Sequence, residues 1–214
     1  MIKDQSRALW IGASDSSYVT GNWETETFKK WFKSKIGLTL YDRKWNTKYT
    51  LAGTYYEHAI LMAIDPRMIM DVQITKPDLG LRVNYDGMLG DTIYEVKTHQ
   101  GSKEFKVSKS YWRQAQVEMF AAGTDKLYVV SCPMQDKHYD NFFLPINKSM
   151  LRFHRVDYDP RWINTEYLPK LKYMSDCIRR GKYPQGVEFE IQNIESIKGM
   201  RHTNESKKSR LRKG

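Results

Sequence analysis

"LRVNYDGMLGDTIYEVKT", residues 81–98, decides how this chain folds. Two short runs rich in Val, Ile, Leu and Tyr flank Gly90-Asp91. A glycine-first, two-residue loop between such runs reads as a tight antiparallel hairpin of type II′ or I′. Residues facing each other across that loop have numbers summing to 181, so Leu89 meets Thr92, Met88 meets Ile93, and Asp86 meets Glu95. Directly opposed residues share a face, with Cβ atoms roughly 5 Å apart. Lys97, two residues beyond Glu95, lies on that same face. Two opposed carboxylates repel, so the hairpin needs positive charge close by. Lys97 alone supplies it if the group is a surface salt-bridge cluster. A divalent cation held between Asp86 and Glu95 supplies it if the group is catalytic, and such an ion takes a few carboxylate oxygens, waters and a substrate phosphate.

Outward from the hairpin the apolar period changes. Residues 24–37 read as an amphipathic helix with Thr25 as cap and Gly37 past its end, and residues 51–64 as a second helix stopped by Asp65-Pro66. Residues 68–74 form a strand ahead of the hairpin strands 81–89 and 92–98. A helix over 108–123, capped by Ser108 or Ser110 and ended by Gly123, leads to an apolar strand at 126–132. A strand over 151–158 and a helix over 163–181, kinked or broken early by Pro169, follow. Helices, then strands, then helix and strand again predict an α+β domain with a mixed central sheet flanked by helices. The domain is expected over 1–195, with a basic, flexible tail over 196–214.

Charge narrows the partners. Among 214 residues, 35 are Lys or Arg and 25 are Asp or Glu, a net charge of +10. Residues 196–214 carry seven of the basic residues and one acid, so the tail contributes +6 and the rest +4. Such a surplus favours a polyanion. Lys29, Lys30, Lys33 and Lys35 on one helix suggest a face that tracks phosphates. Apolar runs stay well short of the roughly 18 residues of a membrane span, and the N-terminus lacks a signal-peptide core, so a cytoplasmic protein without a membrane partner is expected. Cys132 and Cys177 match no zinc spacing and are expected as reduced, buried thiols.

Asp86 followed by "EVK" at Glu95-Val96-Lys97 resembles the core of the PD-(D/E)xK nucleases, with a restriction-endonuclease-like fold. Further elements resemble the lambda-exonuclease or YqaJ-like viral recombinase group within them. These are Arg7, "GASDSSYV" (12–19) with Ser14, "GTYYEHA" (53–59) with Glu57, and "YWRQAQVEM" (111–119) with Gln114 and Gln116. The family's proline before the aspartate is replaced by Tyr85. The resemblance implies that Asp86, Glu95, Glu57 and the Val96 carbonyl hold Mg²⁺, with Mn²⁺ as a substitute. It implies that Lys97 assists the attacking water, and that Gln116 points into the site and completes it. Arg7 and Ser14 are implied to grip a terminal 5′-phosphate, with Gln114 assisting on the DNA.

The activity so implied is a Mg²⁺-dependent 5′–3′ deoxyribonuclease acting on duplex DNA ends. It would work in phage-type recombination and repair beside a single-strand-annealing partner, in the host cytoplasm if phage-encoded. The family setting also admits a homo-oligomer. Two alternatives stay open: a structure-specific or restriction-type endonuclease with the same metal site, and a non-catalytic DNA-binding factor on the same fold.

Overall fold

The computed structural model describes residues 8–39 and 47–195. Arg7 and the basic segment 196–214 lie outside the described residues.

The hairpin forms between β2 (Leu81–Leu89) and β3 (Thr92–Gln100). Gly90 takes φ 62° and Asp91 stays out of the left-handed region, as a type II′ loop requires. The ladder runs in the expected register: Leu89–Thr92, Met88–Ile93, Gly87–Tyr94. β1 (Ile69–Lys76) pairs antiparallel with β2, and β4 (Lys126–Met134) pairs parallel with β3. A parallel neighbour needs a long crossover, and α4 (Lys109–Ala122) provides it. β5 (Arg152–Asp157) closes the far edge antiparallel to β4, giving a five-stranded mixed sheet in the order β1-β2-β3-β4-β5.

Helices cover both faces. A 3-10 turn, Ala13–Asp15, leads into α1 (Ser16–Val19) and then α2 (Glu26–Lys35), whose cap is Thr25, accepting from the Phe28 N–H at 3.2 Å. α3 (Lys48–Ile64) starts three residues earlier than its apolar pattern, because Thr47 caps it. Ser108 caps α4, and Gly123 ends it at φ 72°. α5 (Asp136–Asp140) follows β4, and α6 (Pro160–Trp162) follows β5. A π-helical stretch, Ile163–Tyr167, then runs into α7 (Leu168–Arg180), and residues 186–195 are helical. Pro169 sits in the first turn of α7, where its missing N–H removes a bond to the preceding turn. The helix continues across it, and the widened π turn directly before it is the disturbance.

Two apolar clusters sandwich the sheet. One packs α2, α4 and α7 through Phe28, Trp31, Met119, Leu171 and Met174 against Leu81, Val83, Tyr85, Leu127 and Val129. The other packs α3 and α5 through Tyr56, Ile60, Leu61 and Tyr139 against Val96, Val130 and Cys132. Cys132 and Cys177 are buried free thiols, as expected.

β1 and β2 serve both clusters. Val72, Ile74 and Tyr85 belong to the α4 side, whereas Met70 and Leu89 belong to the α3 side. A Cβ on Gly87 would come 2.7 Å from Leu61 Cδ2, so Gly87 also faces α3. Strict alternation would put Met70 with Val72, and Gly87 with Tyr85. Both strands therefore roll over between those residues, at Asp71 and Asp86, which fall in the gap the ladder leaves between Met70–Gly87 and Val72–Tyr85. Asp71 takes φ 54°, left-handed backbone that a non-glycine residue rarely adopts. α3 approaches β3 closely at Gly53, where a Cβ would lie 3.2 Å from Thr98 Oγ1.

Candidate active site

The roll at Asp86 opens the hairpin. Main-chain pairing of β2 with β3 extends only to Gly87–Tyr94, and beyond it the Asp86 side chain takes over as acceptor. Asp86 Oδ2 receives the Val96 N–H at 2.7 Å. Glu95, 4% exposed, projects from β3 beside it. Its Oε1 accepts from Lys97 Nζ at 2.5 Å and from Gln114 Nε2, on α4, at 2.6 Å. Its Oε2 is buried with no hydrogen-bond partner among the described residues. Lys97 Nζ also lies 5.0 Å from the centre of the Tyr111 ring. Gln114 Nε2 gives a second hydrogen bond, at 2.8 Å, to Glu118 Oε1. Glu57 approaches from α3, close enough to Asp86 and Glu95 for their charges to act on one another.

The group carries more acid than base. Burial, then the charges of Glu95 and Glu57, hold the Asp86 carboxyl well above the usual carboxylate range, against the pull of Lys97 and the Val96 N–H. Burial and Glu95 likewise raise Glu57. They raise Glu118 as well, by a large amount. Burial alone would depress Lys97, but Glu95 and Asp86 outweigh it and raise its pKa. Three carboxylates, Glu95, Asp86 and Glu118, thus act on one ammonium with Glu57 beside them, and two buried carboxylate oxygens, Glu95 Oε2 and Glu118 Oε2, have no donor among the described residues. A hard divalent cation fits that donor set, since it takes oxygen ligands and offsets the excess negative charge.

Other expected residues are placed differently. Gln116 does not join the cluster: its Nε2 donates to the Asp157 carbonyl at 2.8 Å, and its Oε1 accepts the Asp159 N–H at 2.6 Å. Both ends of its amide brace the chain leaving β5. Residues two apart on a helix diverge by about 200°, so only one of the two glutamines can face the acids, and it is Gln114. Ser14 is exposed on the 3-10 turn Ala13–Asp15, which packs on α4. Lys35 does not join a phosphate-tracking face. Its side chain is 11% exposed and pairs with buried Asp15 at 2.7 Å.

Glu118, Asp71 and His58 join the site's surroundings. Glu118 is fully buried one turn beyond Gln114. Asp71 and His58 are paired at 3.0 Å, and with Glu57 they bring potential ligand atoms within 4.8 Å of one another. The signal for Asp71 was present: it is the one charge in "MIMDVQI", 68–74.

A mixed five-stranded sheet flanked by helices on both faces is the fold this chain shares with solved alkaline and phage-related exonucleases. The alkaline exonuclease LHK-Exo from Laribacter hongkongensis matches with a TM-score of 0.60 at 18% identity, over 90% of this chain and 96% of that one. Its complex with dAMP gives 0.59 at 20% identity over the same shares. A phage-related exonuclease from Haemophilus somnus 129PT gives 0.57 at 17% identity, over 81% and 96%. No family model matches the chain, and no curated sequence does. The shared architecture agrees, at the level of the fold, with the lambda-exonuclease resemblance of the motifs.

Proposed function

We propose that the chain is a metal-dependent deoxyribonuclease that degrades duplex DNA from 5′ ends. The observation carrying this is the gathering of Asp86, Glu95, Glu57 and Lys97 where the hairpin opens. Asp86, Glu95 and Glu57, with the Val96 carbonyl, are the residues that would hold Mg²⁺, or Mn²⁺ in its place. A cation so held polarises a phosphoryl oxygen and acidifies a water. Lys97, fixed by Glu95 Oε1, can direct an N–H to the attacking water or to the negative charge that develops on the phosphate. Tyr111 limits where the ammonium can move.

The 5′–3′ direction rests on Ser14, exposed on its turn near α4, together with Arg7, as the grip for a 5′-phosphate. A net charge of +10 suits a DNA partner. Among the described residues no helix is long and apolar enough to cross a membrane. A role in phage-type recombination beside a single-strand-annealing protein, and a homo-oligomeric assembly, belong to the same proposal.

The test is a time course on linear duplex labelled at one 5′ end, with Mg²⁺ and with chelator, beside covalently closed circles. Label should be released as nucleotide only with Mg²⁺, and circles should survive. Cut circles would reject the end-directed assignment. Intact DNA of every kind with Mg²⁺ and with Mn²⁺ would reject catalysis altogether.

A further inference from the structure

Glu118 occupies a costly position. It stands on α4 with Val117 and Met119 beside it in sequence, is fully shielded from solvent, and feels the charges of Glu95 and Asp86. On another side lies Tyr85, whose hydroxyl is raised by burial and by the Glu118 charge. A carboxylate buried among carboxylates is unfavourable, and a Leu of similar size would fill the space at lower cost. What the acid gives in return is orientation.

Gln114 can turn its terminal amide either way round, and its χ3 torsion is soft. As placed, Nε2 uses its two hydrogens on two carboxylates, Glu95 Oε1 at 2.6 Å and Glu118 Oε1 at 2.8 Å. The reversed amide would set a carbonyl oxygen against both acids and lose both bonds. With Glu95 as the single partner that penalty is roughly halved, and the amide is held less firmly. Glu95 Oε1 then loses a fixed donor, while Lys97 Nζ remains on the same atom. Glu95 Oε2 and Glu118 Oε2 are both buried without a hydrogen-bond partner among the described residues, and Glu95 Oε2, on the strand that pairs with Asp86 through the Val96 N–H, is the one assigned to a cation.

We propose that Glu118 is a positioning residue for the metal site: by accepting from Gln114 it locks the amide nitrogen onto Glu95 Oε1 and so presents Glu95 Oε2 to the cation. This rests on the metal-dependent nuclease proposed above. Glu118 touches neither the cation nor the DNA; it acts through Gln114 and Glu95.

Two variants of similar size separate this from a packing role. Glu118→Gln keeps an acceptor oxygen at the same reach, whereas Glu118→Leu removes it. Each full-length protein is compared with the wild type in steady-state cutting of linear duplex across a Mg²⁺ titration, in Mn²⁺ binding by calorimetry, and in thermal melting. Glu118→Leu should lower kcat about 10–100-fold and weaken Mn²⁺ binding by a similar factor, the usual scale for a residue that orients a metal ligand. Its KM for DNA should stay within about twofold of wild type, and its melting temperature should be equal or higher. Glu118→Gln should recover kcat and Mn²⁺ affinity to within about threefold of wild type.

The proposal is overturned if Glu118→Leu matches wild type in kcat and Mn²⁺ affinity. It is overturned too if Glu118→Leu melts earlier while its folded fraction works normally, or if Glu118→Gln is as impaired as Glu118→Leu. A wild type that binds Mn²⁺ but cuts no DNA would remove the nuclease assignment, and the calorimetric comparison would still decide the role of Glu118. A wild type that binds no Mn²⁺ would end both.

Discussion

Among the described residues a carboxylate is buried beside a lysine twice, and the two places differ in how the charge is matched. At Asp15, one carboxylate meets Lys35 at 2.7 Å, the Trp31 indole N–H at 2.9 Å and the Gly12 N–H at 2.8 Å. Acid and base are equal in number, and both carboxylate oxygens have donors. Around Lys97, three acids share one ammonium with Glu57 close to two of them, and among the described residues one oxygen each of Glu95 and Glu118 has no donor. The first arrangement fastens the Ala13–Asp15 turn to α2. The second costs stability and keeps an unmet demand for positive charge. Balanced burial suits a structural brace, whereas gathered carboxylates that raise one another's pKa are the arrangement that functional sites favour.

Substitutions should separate the two places sharply. Asp86→Ala should cut kcat about 10⁴-fold, a barrier increase of about 5.4 kcal/mol, with no loss of melting temperature. Steady-state cutting and calorimetric melting check both halves, and a variant that melts early would move Asp86 to the structural side. Asp15→Ala should do the reverse to the fold, leaving Lys35 buried without its counter-charge at a cost of about 3–5 kcal/mol. Urea unfolding measures it, and a cost below about 1 kcal/mol would erase the contrast.

Metal should act on one place alone. Asp86, Glu57 and Glu118 are held above the ordinary carboxylate range. In the window between ordinary and raised values the folded chain therefore binds more protons than the unfolded one. The stability contributed by these groups, metal-free, falls as pH rises through that window. Mg²⁺ at about 100 times its Kd should return about 2.7 kcal/mol, more at about pH 8 than at about pH 5, where protons compete. Melting curves with and without Mg²⁺ at the two pH values test this, with Asp86→Asn as the variant in which the difference should shrink. The smallest expected change is at Gln116→Ala, which strands the Asp157 carbonyl and the Asp159 N–H. It should cost about 2 kcal/mol of stability and leave kcat of the folded protein unchanged. A drop in kcat alone would return Gln116 to the site.

The hairpin was legible because its instructions are local: a glycine-first loop, β-rich flanks and acids at matched distances from the turn. α4 was legible as a helix but not in its facing. Residues 115–119 are all buried, apolar and polar alike, so no amphipathic stripe tells Gln114 from Gln116, and tertiary packing decides. Asp71 could be noticed as a charge in an apolar strand, but its left-handed backbone has no sequence signature. Nor does helical spacing reveal that Lys35 turns inward to Asp15 while Lys29 stays outside with Glu26.

Gly53 sets a distance by what it lacks. With only hydrogen there, α3 settles onto β3 beside Thr98, and Glu57 follows one turn later on the same helix. A methyl group at 53 would act as a shim, lifting that stretch of helix by a few tenths of an ångström and drawing back the only acid that reaches the cluster from α3. The spacing between Glu57 and the acids of the sheet is thus gauged at a residue that carries no side chain of its own.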